Sequence, residues 1–432
     1  MHNRIIIGQN ATSGRLEKSN LCPLTKRAGH LYIIAIMIRA GVGQSSNAST
    51  ASAAAEAVQK ALAQAGTAKA DAALVFFSVE HAARELELTE TIRCVAGTDQ
   101  VAGCSATGIL TSNGEMESGY GLAALVLSSD QLSCRPLLFH PLREHEIDIG
   151  VELGGVAAPS EASGSLLALF PDTYNGQPQR LLESLHDERG FTPVVGAGAS
   201  ENGTAQATYQ LSSAGVTSNA VAGVYLNGSF QTHIEITQGC QPISDPMVIT
   251  KAERNLIYEI NQRPALEVFS GLLKGPLAED LRRALMVLFV GLPADRLINS
   301  VAPGKYLIRN IIGIDPNKGI LGVAEAVTEG ESMIFAMRDG QRARDDLNQM
   351  LQRQVGNLAG RKPAFGFYFN CCARGSSLYG IPGIDSAYIK QALGDFPLIG
   401  MFGGYELAPL GRANHLFAYT GVLALICEDD LN

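Results

Sequence analysis

The 432-residue sequence lacks the features that define several protein classes. It has no block rich in lysine and arginine, and its net charge is −9, so we do not expect nucleic acid as a partner. Its eight cysteines include no CxxC pair, which leaves a structural zinc site without support. The apolar run at residues 31–38 is too short to span a bilayer. We therefore expect a cytoplasmic protein with reduced thiols and no membrane partner.

Signatures of catalysis are also missing. The sequence contains no HExxH, no GxSxG and no GxxxxGK[ST], and it has no His/Cys cluster at the spacing of metal ligands. No set of nucleophile, base and acid can be assembled from the remaining motifs. The sequence therefore predicts a protein that is not an enzyme and that needs no cofactor.

The composition, 46% hydrophobic and 17% charged, is that of an ordinary soluble protein. The chain is long enough for two or more domains. Residues 1–36 lack the pattern of a folded segment, and we predict a disordered extension there. A proline at the first turn of a predicted helix, Pro264, marks the start of a new domain. We place the two domains at residues 37–262 and 263–432.

One order of elements recurs three times: a buried strand, a helix, a glycine loop and a closing strand. The glycine loops are residues 101–108, 193–203 and 396–411, and a weaker fourth copy is predicted at residues 284–340. Such recurrence indicates duplication of one supersecondary unit. We predict an α/β (α+β) fold of two related domains with mixed sheets, layered αββα-like, with helices packed outside. Outside these loops, residues 49–66 predict an alanine-rich helix that a serine or threonine caps and a glycine ends.

The glycine loops do not fit a dinucleotide-binding fingerprint, because the helix precedes each loop and a strand follows it. Gly103, Gly196 and Gly400 allow close backbone approach and leave N–H groups free at a strand end. The glycine loops can be interpreted either as structural turns or as loops that line a ligand site. Gly103, Cys104 and Ser105 are therefore candidate ligand-binding residues of the first loop.

The stretch FGFYFNCCARGSS, residues 365–377, places Cys371, Cys372 and Arg374 at the end of a buried strand. Residues at strand ends of open α/β sheets line ligand crevices, and a neighbouring guanidinium stabilises a thiolate. Strand alternation predicts that one cysteine lies in the core and the other faces a pocket. An arginine in so apolar a stretch needs an anionic partner, and Glu406 in GGYE is the candidate. A structural Arg–Glu pair and a ligand clamp remain alternatives.

Lone histidines are weaker candidates. His415 precedes the last strand, where a surface histidine is the simple interpretation and an axial haem ligand is the alternative. His233 or a cysteine are further options for that ligand.

The sequence resembles the FIST family of bacterial sensory proteins over roughly residues 38–428. The N-terminal motifs are ALVFFS, VAGCSATG, VVGAGASENG and TQGCQPI; the C-terminal motifs are YLIRNIIGID, MRDG, CCARGSSLYG, GMFGGYELAP and HLFAYTG. Each motif alone is loose, and their order along the chain makes the match specific.

The resemblance implies a FIST N-like and a FIST C-like domain and a sensor that binds a small ligand, such as an amino acid or another anionic metabolite. It also implies that a separate output protein, such as a kinase or cyclase, receives the signal. Residues that match family positions are Cys371, Arg374, Gly375 and Glu406, and Gly403 is a further candidate ligand-binding residue.

One position departs from the family pattern: Ile109 stands where the family commonly has glutamate, which weakens a pocket at the first loop. Three alternatives to the metabolite sensor remain. They are a haem-binding nitric-oxide sensor, an enzyme with Cys371 or Cys372 as nucleophile, and an interaction scaffold.

Overall fold

The computed structural model describes residues 26–27, 30–31, 38–157, 162–302 and 304–429. The chain divides into two compact units, Met1–Met37 and Ile38–Asn432. In the first unit the described residues are two short antiparallel strands, β1 (Lys26–Arg27) and β2 (His30–Leu31). The extension predicted for residues 1–36 lies almost wholly outside the described residues. The remaining description concerns the second unit.

The second unit begins with a mixed strand–helix segment. Its elements are β3 (Arg39–Ser45), α1 (Thr50–Ala65), β4 (Ala72–Phe77), a 3₁₀ turn (Val79–Arg84), α2 (Glu85–Ala96), β5 (Val101–Ser105), β6 (Gly108–Thr111), β7 (Gly114–Met116) and β8 (Leu122–Ser128). Helix α1 forms as predicted: the Ser49 side chain accepts a hydrogen bond from the Ser52 N–H, and Gly66 ends the helix in the left-handed conformation.

A second segment repeats this order. Its elements are β9 (Leu132–Phe139), α3 (Glu146–Val156), β10 (Gly164–Pro171), α4 (Pro178–Arg189), β11 (Val194–Ala197), β12 (Gln210–Ser212), β13 (Gly215–Thr217) and β14 (Val221–Gly228).

A third segment has the same order but carries a long insertion after its first strand, β15 (Phe230–Gln238). The insertion contains β16 (Cys240–Pro242), β17 (Met247–Glu253), β18 (Leu256–Ile260), β19 (Arg263–Pro264), α5 (Ala265–Leu272), α6 (Pro276–Glu279), α7 (Leu281–Val287), β20 (Leu288–Pro293), β21 (Tyr306–Asp315), β22 (Ile320–Val323) and β23 (Ser332–Arg338). The segment resumes with α8 (Gly340–Leu358), β24 (Phe365–Cys371), α9 (Ser376–Tyr379), α10 (Ile384–Leu393), β25 (Leu398–Gly403), β26 (Glu406–Leu410), β27 (Ala413–Phe417) and β28 (Thr420–Glu428).

Each of the three six-stranded mixed sheets contains four strands of one segment and a two-stranded hairpin of another segment. The first sheet runs β3-β8-β4-β5 and ends with the hairpin β12-β13 of the second segment. The second sheet runs β9-β14-β10-β11 and ends with β26-β27 of the third segment. The third sheet runs β15-β28-β24-β25 and ends with β6-β7 of the first segment. The three segments are therefore interlocked by a cyclic exchange of hairpins.

The three predicted loop glycines have one structural role. Gly103, Gly196 and Gly400 lie on the strands that pair in parallel with β4, β10 and β24. A Cβ at each position would lie 1.8–1.9 Å from a backbone carbonyl oxygen of the neighbouring strand. Since no side chain fits at that distance, glycine is required for the close approach of each parallel pair.

The sheets surround one apolar centre. Phe76, Phe170 and Phe369 come from equivalent strands of the three sheets, and their ring centroids lie 5.0–6.3 Å apart. Helices cover the outer faces, where α1 packs on β3 and α8 on β15. The structure is 28% helix and 39% strand, and the predicted mixed α/β class is confirmed.

The insertion in the third segment forms a closed antiparallel sheet. Its strands follow the order β16-β23-β17-β18-β22-β21-β20, and pairing of β20 with β23 closes it. The predicted fourth copy of the repeat is wrong: β20, β21, β22 and β23 pair antiparallel and lack the parallel pair of the other three segments. The domain boundary predicted near residue 262 falls within this closed sheet and stays a prediction.

Among the described helices, none combines the length and the apolar composition that crossing a bilayer requires.

Candidate functional site

A cavity of about 800 Å³ lies where the closed sheet faces the strand ends of the second and third sheets. The wall from the closed sheet includes Pro293, Leu307 and Ile308, which are apolar, and Arg296, Arg309 and Glu325, which are charged. The facing wall includes Cys371, Cys372, His415 and Tyr419. The cavity is therefore apolar on part of its surface and carries a few charged and titratable groups.

Arg309 on β21 is the most enclosed charged group of this wall, since its side chain is 12% exposed. Its Nε donates to Glu325, and its Nη1 donates to the carbonyl oxygens of Ile308 (2.9 Å) and Leu416 (3.3 Å). Within the described part of the chain, Nη2 has no hydrogen-bond partner. One guanidinium nitrogen at the cavity wall is therefore open to an acceptor.

Glu325 is shared by two arginines. Arg296 donates from Nη2 to the second carboxylate oxygen of Glu325 at 2.8 Å and also pairs with Glu331 at 3.3 Å. Two carboxylates, Glu325 and Glu331, therefore face the two guanidinium groups, and Glu325 links Arg296 to Arg309.

The two cysteines lie at the end of β24. Cys371 is buried and Cys372 is exposed. The interaction with the Cys371 thiol lowers the pKa of Cys372, whereas the same interaction and burial hold the pKa of Cys371 well above its ordinary value.

Two ring side chains complete the facing wall. Burial lowers the pKa of His415, which favours the neutral imidazole. Tyr419 donates to the Asn310 side chain at 2.9 Å, and burial raises its pKa to about 12.

Behind this wall lies a second group of polar residues, the sealed cluster: Asn370, Arg374, Tyr379 and Asp385. Arg374 is 1% exposed, and its Nη2 donates to Asp385 (3.0 Å) and to the Tyr379 hydroxyl (2.6 Å). Asp385 also accepts from the Asn370 amide (2.7 Å) and the Tyr379 hydroxyl (2.8 Å). Burial alone would lower the pKa of Arg374, but the Asp385 carboxylate outweighs it and holds the pKa well above its ordinary value.

The predicted pairing of Arg374 with Glu406 is therefore corrected, because the partner is Asp385. Glu406 is fully buried and accepts from the Thr420 hydroxyl (2.7 Å) and N–H (3.2 Å). Burial, with the nearby Cys371, raises its pKa well above the ordinary value.

The comparisons with known proteins bear on this arrangement. Residues 71–263 match the FIST N domain and residues 265–409 match the FIST C domain. The chain belongs to the FIST family. FIST domains are associated with sensory signal transduction.

The matching relatives include uncharacterized proteins of mycobacteria. A protein of Mycobacterium tuberculosis is 27% identical over 391 residues, which are 90% of this chain and all of the relative. A protein of Mycobacterium bovis is 26% identical over 392 residues, 91% of this chain and all of the relative. The crystal structure of a cyanuric acid hydrolase from A. caulinodans is 12% identical, covering 44% of this chain and 71% of its own, with a TM-score of 0.26. That TM-score is too low for an argument about this FIST protein.

The FIST-type positions of the C-terminal half divide between the two regions. Cys371 and Cys372 line the cavity, whereas Arg374 and Glu406 are sealed behind it. Gly403 pairs with Cys371 across the parallel strands, where a Cβ would lie 2.5 Å from that of Ala197.

Gly375 has a different role, since it adopts a positive φ of 57° at the start of α9. There the Ser376 N–H donates to Glu117 at 2.7 Å. The left-handed conformation favours glycine at this turn.

The candidates of the first loop lie in the apolar centre of the FIST fold. Gly103, Cys104 and Ser105 are buried in β5; the Cys104 sulfur lies 3.3 Å from that of Met401, and the Ser105 hydroxyl donates to the Ser200 carbonyl at 3.0 Å. None of the three lines the cavity. His233 lies on β15 beside Arg361 and is likewise not part of the cavity wall.

Sequence reasoning missed Arg309, Glu325, Tyr379 and Asp385. Arg309 had a signal, because it interrupts the apolar strand YLIRNIIGID. Asp385 stands near the start of α10 and resembles an ordinary acidic residue of a first helical turn. Its role depends on tertiary packing against β24, which the local sequence does not encode.

Proposed function

We propose that this FIST protein is a cytoplasmic sensor that binds a small anionic metabolite, such as an amino acid, in the cavity beside Arg309. The observation that carries the proposal is the open Nη2 of an arginine that is 12% exposed at the wall of an 800 Å³ cavity. Cavities of a few hundred to a thousand Å³ suit metabolite-sized ligands, and a guanidinium fork binds carboxylates.

The rest of the wall suits a ligand with both charges. The open nitrogen of Arg309 favours a carboxylate, while Glu183 on the same wall is available to an ammonium group. The apolar side chains Pro293, Leu307 and Ile308 offer a surface for a hydrocarbon side chain. This combination supports an amino acid over a simple inorganic anion.

The cavity position supports a sensory role. Its two walls come from the closed sheet and from the strand ends of the interlocked sheets, so a ligand that contacts both would favour one relative arrangement. A separate output protein, such as a kinase or cyclase, would read that arrangement. The proposal assigns ligand binding and no catalysis.

A thermal-shift panel of amino acids and small carboxylates tests the proposal. A ligand at 100 times its dissociation constant should stabilise the protein by about 2.7 kcal/mol. Arg309→Gln should abolish the shift, and Arg263→Gln, an exposed arginine outside the cavity wall, should keep it. The proposal is wrong if no panel member shifts the wild type, or if Arg309→Gln responds as the wild type does.

A second candidate, haem binding, is favoured by His415. Its imidazole lies at the cavity wall, and burial favours the neutral form that binds iron. His415 would ligate the iron, and Arg296 and Arg309 would pair with the propionates. Incubation with haemin should then give a Soret band that His415→Ala loses; a wild-type protein without this band would exclude the candidate.

A further inference from the structure

The closed sheet is joined to the rest of the fold by two neighbouring chain connections. The chain enters it at residues 238–240, between β15 and β16, and leaves it at residues 338–340, between β23 and α8. The two connections lie side by side, because Cys240 pairs with Arg338 across β16 and β23. Connections that meet at one end of a compact body have the geometry of a hinge.

The closed sheet also has an apolar core of its own. In the described part of the chain, every buried residue of this core belongs to the insertion, between Ile249 and Phe335. The rings of Phe269 and Phe335 lie within it, with centroids 5.6 Å apart. A body with its own core can move as a unit about its connections while that core stays buried.

Tyr419 lies on the cavity wall and contacts both the first connection and the closed sheet. Its carbonyl oxygen accepts from the Gly239 N–H at 2.7 Å, and a Cβ at Gly239 would lie 2.5 Å from that oxygen. The Tyr419 hydroxyl donates to the Asn310 side chain on β21 at 2.9 Å. Its ring packs against Phe289 on β20, with centroids 4.4 Å apart. One side chain of the facing wall is therefore held by two strands of the closed sheet.

The backbone of Tyr419 is strained. Its φ of 62° lies in the left-handed region, which is unfavourable for a large side chain. A residue stays in such a conformation when surrounding contacts hold it there. Because Asn310 and Phe289 both belong to the closed sheet, displacement of that sheet would let Tyr419 relax.

We propose that the closed sheet is a lid over the cavity, that it moves about residues 238–240 and 338–340, and that Tyr419 holds it closed. A ligand bound between Arg309 on the lid and Glu183 on α4 adds contacts across the cavity and stabilises the closed position. This role of the ligand rests on the proposed function, whereas the motion itself needs no ligand.

The two proposals can therefore fail separately. If the thermal-shift panel is silent while the lid moves, the sensor proposal fails and the lid stands. If a panel member binds through Arg309 while the lid does not move, the lid alone is wrong.

Distances between two spin labels, measured by double electron–electron resonance on the full chain, test the lid. The lid label is attached at Leu297→Cys, a position that is 98% exposed. The core label is attached at Asp187→Cys, an exposed position on α4, the helix that faces the lid across the cavity. Three native cysteines are first replaced by serine so that they take no label: Cys22, Cys94 and Cys372.

Tyr419→Ala should lengthen the mean distance between lid and core labels by more than about 2 Å, because it removes both contacts with the closed sheet. A control pair, Asp187→Cys with Leu86→Cys, should keep its distance, since both positions lie outside the lid. An unchanged distance between lid and core in Tyr419→Ala would overturn the proposal.

If Tyr419→Ala also changes the control pair, Asn310→Ala decides, because Asn310 is exposed and its truncation leaves the Tyr419 ring in place. A longer distance between lid and core in that variant supports the lid, and an unchanged one contradicts it. Asn317→Ala is the matched control, since Asn317 is an exposed asparagine of the closed sheet that does not line the cavity. It should keep the wild-type distance; the same lengthening from Asn317→Ala would remove Tyr419 from the proposed role.

Discussion

The sealed cluster and the cavity each contain an arginine, and the two arginines differ in what surrounds them. Arg374 is 1% exposed and pairs with Asp385, which also accepts from Tyr379 and Asn370. Arg309 is 12% exposed, shares Glu325 with a second arginine and keeps one nitrogen open to the cavity. Arg374 therefore has a structural environment, whereas the environment of Arg309 suits recognition of a ligand.

The two regions are separated by a few residues of one chain segment. Asn370 enters the sealed cluster, and Cys371 and Cys372 line the cavity. The end of β24 thus forms the wall between them. A family-type motif at a strand end therefore need not act as one site.

Removal of the carboxylate of the sealed cluster should have the largest effect. Asp385→Ala leaves the Arg374 guanidinium buried without its counter-charge, which costs about 3–5 kcal/mol of unfolding free energy. Urea denaturation of wild type and variant measures the loss.

Asp395→Ala is the control for this variant, because Asp395 pairs with Lys390 of the same helix α10 but both side chains are more than half exposed. Its cost should be well under 1 kcal/mol. Equal losses of unfolding free energy from the two substitutions would show that burial does not make the Arg374–Asp385 pair more costly to break than an exposed pair.

Local sequence predicted part of this organisation. The buried strands, helix α1 with its caps, and the cysteines at a strand end follow from hydrophobic patterning and turn residues. The exchange of hairpins among the three sheets does not, because β6 and β26 pair with strands of other segments through tertiary contacts. The partner of Arg374 was missed for the same reason, since Glu406 and Asp385 look alike in sequence and differ in packing.

Gly400 sets the spacing between β24 and β25, and both the cavity wall and the sealed cluster depend on that spacing. A Cβ at Gly400 would lie 1.9 Å from the Tyr368 carbonyl oxygen, so Gly400→Ala must push the two strands apart. We expect a loss of about 3 kcal/mol in unfolding free energy, measured by urea denaturation.

Gly155→Ala is the matched control, since a Cβ on this residue of helix α3 would meet nothing within 4 Å. Alanine has the higher helix propensity, so the control should be neutral or stabilised by up to about 1 kcal/mol. A Gly400→Ala protein as stable as the wild type would mean that the parallel pair tolerates a side chain.

The smallest predicted effect concerns the pH dependence of stability next to the sealed cluster. Glu115 on β7 accepts hydrogen bonds from the N–H groups of Gly383 and Ser386 at the start of α10. Burial, with the nearby Asp385 carboxylate, raises its pKa from 4.5 to about 7. Between these values the folded protein keeps a proton that the unfolded chain releases, so the stability from this group falls as pH rises from about 4.5 to 7.

Glu115→Gln removes this titration. The unfolding free energy of the variant relative to wild type should rise by roughly 2 kcal/mol between pH 4.5 and 7.5, an amount discounted for the partial exposure of Glu115. Above about pH 8 both curves should run parallel, because Glu115 is ionised in the folded and the unfolded chain; that range serves as the control. If the unfolding free energies of wild type and variant depend on pH in the same way below pH 7, Glu115 does not link the stability of the protein to pH.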